Sequence, residues 1–167
     1  MKLSIIFPAY NEEDEIRDTV KAYLDYFIEK YGEELELIIV TDGCTDATPE
    51  IAKELAKSHR MVKHVNYSYR LGKGGGVLKG VLKAKGDLIG FADADGAASP
   101  KQFDKLVKFS KGADGAIGSR WLPNSVLKPE RPILREIESR AYRILVQRIF
   151  GLTSEDFQCG AKVFKSD

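Results

Sequence analysis

The chain has 167 residues, 43% of them hydrophobic and 31% charged, with a formal net charge of +1. That is enough chain for one globular domain with a real core, and the balance excludes a disordered or fibrous protein. The near-zero charge also excludes a global field that would hold the molecule on nucleic acid or anionic lipid, so no nucleic-acid partner is expected.

Residues 3–7 are a short apolar run stopped by Pro8, the pattern of a buried strand. Asn11 stands where it would cap a helix whose first turn holds Glu12, Glu13 and Asp14, with Ile16, Val20, Leu24 and Phe27 on one face. Residues 35–40 read as a second strand. Thr48-Pro49-Glu50 opens a helix with proline in its first turn, and Ile51 and Leu55 continue its apolar stripe. A third strand over 61–67 leads to a glycine-rich loop and a helix through Val77 and Val81. A fourth strand covers 87–92. Ser99-Pro100-Lys101-Gln102 is a capping box for a helix with Phe103, Leu106 and Val107 inward. Residues 113–118 resemble a fifth strand, 119–130 a polar loop containing proline, 133–150 a long helix and 161–164 a last strand.

The βαβαβ order predicts an α/β domain with a mainly parallel central sheet flanked by helices, and residues 1–167 read as a single domain. The N-terminal apolar run is too short for a signal peptide, and no stretch reaches the roughly 20 apolar residues that cross a bilayer. Peripheral membrane attachment, or an anchor outside these residues, stays compatible with that pattern. The two cysteines, Cys44 and Cys159, show neither metal-ligand spacing nor a disulfide framework, which favours a reducing compartment. His59 and His64 stand apart from any Cys or carboxylate cluster and read as structural or solvated.

Ligands of such sheets bind beyond the carboxyl ends of the strands, and the polar residues there carry the chemical signal. Asp93-Ala94-Asp95 places two carboxylates two residues apart after an apolar strand, where like charges call for a cation or donors. Hard oxygen ligands suit Mg²⁺ or Mn²⁺, which take one or two carboxylates plus phosphate oxygens. Asp42 and Glu12 follow the second and first strands and should open onto the same edge. A solvated strand-end turn explains any one of these acids, but not acids delivered to one crevice by three strand ends. Gly72-Lys73-Gly74-Gly75-Gly76 is a candidate phosphate cradle, although it is neither a Walker A motif nor a dinucleotide fingerprint. Late in the chain, Arg135 and Ser139 lie one turn apart, where guanidinium and hydroxyl can meet one phosphate.

Taken together, these residues resemble the family 2 glycosyltransferases, in particular the dolichyl-phosphate mannose and glucose synthase group. The resemblance rests on Phe7-Pro8-Ala9-Tyr10-Asn11-Glu12, Asp42-Gly43-Cys44-Thr45-Asp46, Gly72-Lys73-Gly74-Gly75, Ala92-Asp93-Ala94-Asp95-Gly96, Gly118-Ser119-Arg120 and Asp156-Phe157-Gln158-Cys159-Gly160, in family order. It implies a GT-A nucleotide-binding fold and metal-dependent transfer from a nucleotide-sugar to a polyprenyl or dolichyl phosphate at the cytoplasmic face of a membrane. By the same resemblance Pro8, Tyr10, Glu12 and Asp42 hold the nucleoside, Lys73 and Asp93 serve the donor, and Asp95 ligates Mg²⁺ or Mn²⁺. Arg120, Arg135 and Ser139 meet the acceptor phosphate, and Asp156 sits near sugar and acceptor.

Two departures qualify this. Thr41 stands where the group usually has aspartate, and Ala97 where mannose synthases often have a metal-binding glutamine. Asp-Ala-Asp-Gly-Ala and Asp-x-Gln-Cys-Gly look closer to the branch using UDP-glucose. Family members usually continue well past position 167, so a truncated domain is expected. Three other readings stay open: transfer to a sugar hydroxyl, a nucleotidyltransferase, and a non-catalytic nucleotide-sugar binding module.

Overall fold

The computed structural model describes residues 1–119, 148–149, 151, 156 and 159–166. The chain forms two compact units, Met1–Ala116 with Gly160–Asp167, and Ile117–Cys159. The first carries strands β1 (Leu3–Ala9), β2 (Leu35–Asp42), β3 (Val62–Tyr67), β4 (Leu88–Ala92) and β6 (Ala161–Lys165), and helices α1 (Ile16–Tyr31), α2 (Thr48–Ser58), α3 (Gly72–Val81) and α4 (Pro100–Ser110). A short β5 (Gly115–Ile117) ends at the boundary.

The described sheet has the order β3-β2-β1-β4-β6-β5. β3, β2, β1 and β4 run parallel, and β6 pairs antiparallel with β4, Ala92 opposite Ala161. β2 is buried throughout, as expected of a strand with neighbours on both edges and helices on both faces. Adjacent residues of β1 show the two layers. Phe7 meets Tyr23 of α1 edge-to-face at 5.1 Å, whereas the next residue toward the N-terminus, Ile6, lies against Gly80 of α3. Neighbouring strand residues point to opposite faces, so α1 and α3 cover opposite sides. Helices α2 and α4 both pack against α1.

The chain turns one way from β1 to β2 and β3 and then returns to place β4 on the other side of β1. The carboxyl ends of β1 and β4 therefore flank a topological switch point, where open α/β sheets bind ligands.

Several local signals operate as the sequence implies. Ser99 caps α4 with a complete capping box, and Pro49 lies in the first turn of α2. Others do not. α1 begins at Ile16, and Asn11 is in the left-handed region at φ 53° rather than at a helix cap. Its amide carbonyl accepts from Thr45 N at 2.9 Å and its Nδ2 donates to Thr45 Oγ1 at 3.1 Å, tying the loop after β1 to the loop after β2. The glycines expected in a loop form the first turns of α3, because a Cβ on Gly76 would press on Pro8 and one on Gly80 would overlap Ile6. Leu106 is only half-buried, while Phe103 and Val107 are buried. Most of the helix expected over 133–150 lies outside the described residues; Arg148 and Ile149 within it are helical and exposed.

Candidate active site

A cleft of about 280 Å³ opens at the switch point, lined by Pro8, Tyr10, Glu12, Asp42, Arg70, Lys73, Asp93 and Asp95 among others. The structure thus gathers seven of the expected donor-side residues from three strand ends and from α3. Arg120, Arg135 and Ser139 lie outside the described residues. Asp156, in the second unit, is buried at 3% exposure.

Asp42 ends β2 almost wholly buried, at 1% exposure. One of its oxygens accepts from Arg70 Nη1 at 2.6 Å, Leu71 N at 2.7 Å and Gly72 N at 2.9 Å. It supplies the negative charge that a helix amino terminus favours, so the N–H groups of Leu71 and Gly72 are directed at Asp42 rather than into the cleft. Gly43 follows at φ 63°, and a Cβ there would press on the backbone of Arg70 at 2.9 Å. Arg70 then lies flat over Tyr10, its guanidinium carbon 3.5 Å from the ring centroid. Sequence reasoning did not single out Arg70. The available signal was its place in the loop after the third strand, which opens onto the same sheet edge.

On the other side of β1, β4 stops at Ala92, and a turn rather than strand alternation delivers Asp93 and Asp95. Asp93 N donates to Gly160 O at 3.1 Å, and Asp93 Oδ1 pairs with Lys73 Nζ at 2.5 Å. A Cβ on Gly160 would fall well inside 3.0 Å of Asp93 Oδ2 and Cγ, so only glycine lets β6 pass so close to this carboxylate. Asp95 Oδ1 accepts from Ala97 N at 2.9 Å, a short side-chain turn that orients the carboxylate. Gly96 completes the turn at φ 70°. Beneath it, the hydroxyl of buried Tyr23 donates to Ala98 O at 2.8 Å and anchors the turn to α1. Burial, then Asp93 and Asp95, push the Tyr23 phenol upward, so it stays a proton donor.

The charges of the cleft decide what it can hold. Arg70 answers Asp42 and Lys73 answers Asp93. That leaves Glu12 and Asp95 as two acids without a matching cation in the cleft lining. The Glu12 carboxyl is raised above its ordinary value, first by burial and then by Asp95, Glu15, Asp93 and Asp46. A surplus of two negative charges on hard oxygen atoms suits a divalent cation. Among the described residues no three His, Cys, Asp or Glu side chains are grouped to hold a metal by themselves. Asp95 therefore fits as one carboxylate ligand, with the other ligands supplied by phosphate oxygens or water.

Fold and cleft together have the GT-A architecture, an α/β sheet with its cleft at the carboxyl ends of the parallel strands. The model of the family described as glycosyl transferase family 2 matches residues 4–167, and the chain belongs to that family. It is 35% identical to the glycosyltransferase AglD of Haloferax volcanii, over all of this chain and 27% of that protein. It is 34% identical to the dolichyl-phosphate beta-glucosyltransferase of Saccharomyces cerevisiae, over 97% of this chain and 54% of the yeast protein. The chain thus spans from about a quarter to about half the length of these relatives. Among solved structures, the glucosyl-3-phosphoglycerate synthase of Mycobacterium tuberculosis in complex with Mn²⁺, UDP and phosphoglyceric acid superposes with a TM-score of 0.68. That match covers 99% of this chain and 56% of the other, at 18% identity, and speaks for the fold.

Proposed function

We propose that this chain is the catalytic domain of an inverting glucosyltransferase that moves glucose from UDP-glucose to a polyprenyl phosphate of the dolichyl type. The observation that carries the proposal is the cleft at the switch point with two surplus carboxylates, Glu12 and Asp95, in a chain whose relatives include dolichyl-phosphate beta-glucosyltransferases. Glucose is the favoured sugar because several relatives are dolichyl-phosphate beta-glucosyltransferases, although another is an undecaprenyl-phosphate 4-deoxy-4-formamido-L-arabinose transferase. UDP rests on the likeness of the Asp-Ala-Asp-Gly-Ala and Asp-x-Gln-Cys-Gly segments to the UDP-glucose branch, and mannose is the next candidate.

In this reading Tyr10 and Pro8 receive the nucleoside beside Asp42. Lys73 is within reach of the diphosphate once it exchanges Asp93 for the donor. Asp93 holds the ribose or sugar side, and Asp95 offers its free oxygen to Mg²⁺ or Mn²⁺. When bound, the divalent cation supplies positive charge against the departing diphosphate. An acceptor phosphate oxygen attacks the anomeric carbon from the face opposite the leaving group. The new C–O bond forms as the old one breaks, and UDP leaves with the electron pair, which inverts the centre. The acceptor phosphate, with a second pKa near 6, is already anionic and needs orientation more than deprotonation. Arg120, Arg135 and Ser139 supply that orientation, and Asp156 lies near the sugar and acceptor. The acceptor's polyprenyl chain places the work at a membrane surface, on its cytoplasmic face.

The test compares polyprenyl phosphate with the matching polyprenol as acceptors of glucose from UDP-glucose. Transfer to the phosphate, reduced about tenfold or more by Arg135→Ala through loss of a charge-assisted contact of roughly 1.5–3 kcal/mol, supports the proposal. Equal transfer to the free alcohol, with Arg135→Ala indifferent, overturns the phosphate acceptor. Release of pyrophosphate from a nucleoside triphosphate would make the chain a nucleotidyltransferase instead.

A further inference from the structure

Helix α3 has the reverse of the usual pattern for a helix covering a sheet. Its buried positions are Gly76 and Gly80, packed on Pro8 and Ile6. Leu78 and Leu82, each two residues further on, face the opposite way at 100° per residue. Leu78 is 59% exposed and Leu82, just past the helix end, 69%. Val81 is exposed beside them, and the exposed Lys83 and Lys85 follow the apolar residues, while Lys79 is half-buried with its ammonium 5.8 Å from the centre of the Tyr67 ring. None of these three lysines makes an ion pair among the described residues. An ordinary surface helix would put its leucines on the sheet and its polar residues outward.

The sequence around the helix is strongly segregated in charge. Residues 55–86 contain eight lysines and arginines and no acid, which leaves 18 basic against 25 acidic residues in the rest of the chain. Arg60, Lys63, Arg70 and Lys73 pair with Glu33, Glu36, Asp42 and Asp93, so among the described residues the basic surplus of this segment rests on Lys57, Lys79, Lys83 and Lys85.

We propose that the outward face of α3 docks on an anionic membrane surface, with Leu78, Val81 and Leu82 entering the interface and Lys83 and Lys85 meeting lipid phosphates. The combination of apolar residues and lysines without acids is what an interfacial helix requires, and lysine stems reach outward while their ammonium groups stay with the headgroups. Each lysine near an anionic surface raises binding roughly fivefold, so two give roughly 25-fold over a neutral bilayer. The face is distinct from the residues that line the cleft, so the inference stands apart from the chemistry proposed there.

The experiment is flotation of the purified protein with vesicles of phosphatidylcholine alone or with about one-third phosphatidylglycerol, the fraction being chosen for a physiological surface potential. Two variants separate the contributions: Leu78→Ser/Leu82→Ser keeps the charge, and Lys83→Glu/Lys85→Glu keeps the apolar residues. The protein should float with the anionic vesicles only, and each variant should lose at least tenfold in binding while its melting temperature and UDP binding stay unchanged. Failure to float with anionic vesicles, or flotation of both variants equal to that of the parent, overturns the proposal. So does concentration-dependent dimerisation abolished by Leu78→Ser/Leu82→Ser, which would assign this face to a second copy. Loss of UDP binding by the parent protein would instead count against the proposed donor and leave the membrane result to stand.

Discussion

Replacing Gly160 by alanine tests whether β6 fixes the carboxylate of Asp93. The added methyl group would lie well under 3.0 Å from Asp93 Oδ2 and Cγ and 3.0 Å from Oδ1, so the Asp93 side chain must turn away from its present position. Asp93 N is hydrogen-bonded to Gly160 O, which prevents the two backbones from separating freely. Overpacking of this kind costs about 1–3 kcal/mol. The Lys73–Asp93 pair breaks as well, but both side chains are partly exposed, at 49% and 27%, so its loss adds well under about 1 kcal/mol. For a chain of this size the total corresponds to a fall in melting temperature of roughly 2–12 °C. The assay is thermal denaturation of Gly160→Ala, Asp93→Ala and the double variant. If the clash is with the carboxylate, removing it first should restore most of the lost stability in the double variant. Equal destabilisation by Gly160→Ala in both backgrounds would refute the reasoning, because the strain would then lie elsewhere in β6.

At the opposite edge of the sheet, buried Glu36 accepts from Ser4 Oγ at 2.5 Å and from Lys85 N at 2.9 Å and pairs with Lys63. Burial alone would raise its carboxyl, but these donors outweigh it and hold it below its ordinary value. Its stabilisation is therefore present above the ordinary carboxylate pKa and lost as pH falls through the folded value. Urea unfolding should show Glu36→Gln weaker by about 1–3 kcal/mol at neutral pH, with the gap closing in acid. Glu12 has the opposite sign: its raised carboxyl favours the fold when protonated, and that contribution disappears as pH rises through the folded value. Glu12→Gln should therefore melt higher than the parent at neutral pH and no higher in acid. Arg70→Ala should cost under about 1 kcal/mol by denaturation, since the arginine is 46% exposed, whereas Asp42→Ala should cost about 1–3 kcal/mol by stripping two backbone N–H groups of their acceptor.

What the sequence displayed and what it concealed follow the range of the interactions. Ser99 and Gln102 satisfy each other within one turn, so the capping box is readable from four residues. The strands announce themselves because β1 and β2 are buried on both faces and carry little but apolar residues. The strand-end acids were legible for the same reason: once the order of strands is known, Glu12, Asp42, Asp93 and Asp95 must emerge on one edge. Asn11 misled because its partner, Thr45, lies 34 residues away, and an asparagine before a run of acids has the local look of a cap. The glycines after residue 71 misled because glycine serves both loops and close helix contacts, and the decisive contact, Gly76 against Pro8, is made by a residue distant in sequence. Arg70 could not be weighted until its ring partner Tyr10 and its carboxylate partner Asp42 were seen on the same cleft.

The donor site proposed at the ends of β1, β2 and β4, with a divalent cation held by Asp95, stands or falls on nucleotide binding. The most direct measurement is calorimetric titration of UDP into the protein and into Asp95→Ala, each with Mn²⁺ and with EDTA. Binding should be tighter with Mn²⁺ by at least tenfold, about 1.4 kcal/mol, in the parent and no different in Asp95→Ala. Equal affinity of the parent with and without Mn²⁺ would contradict it.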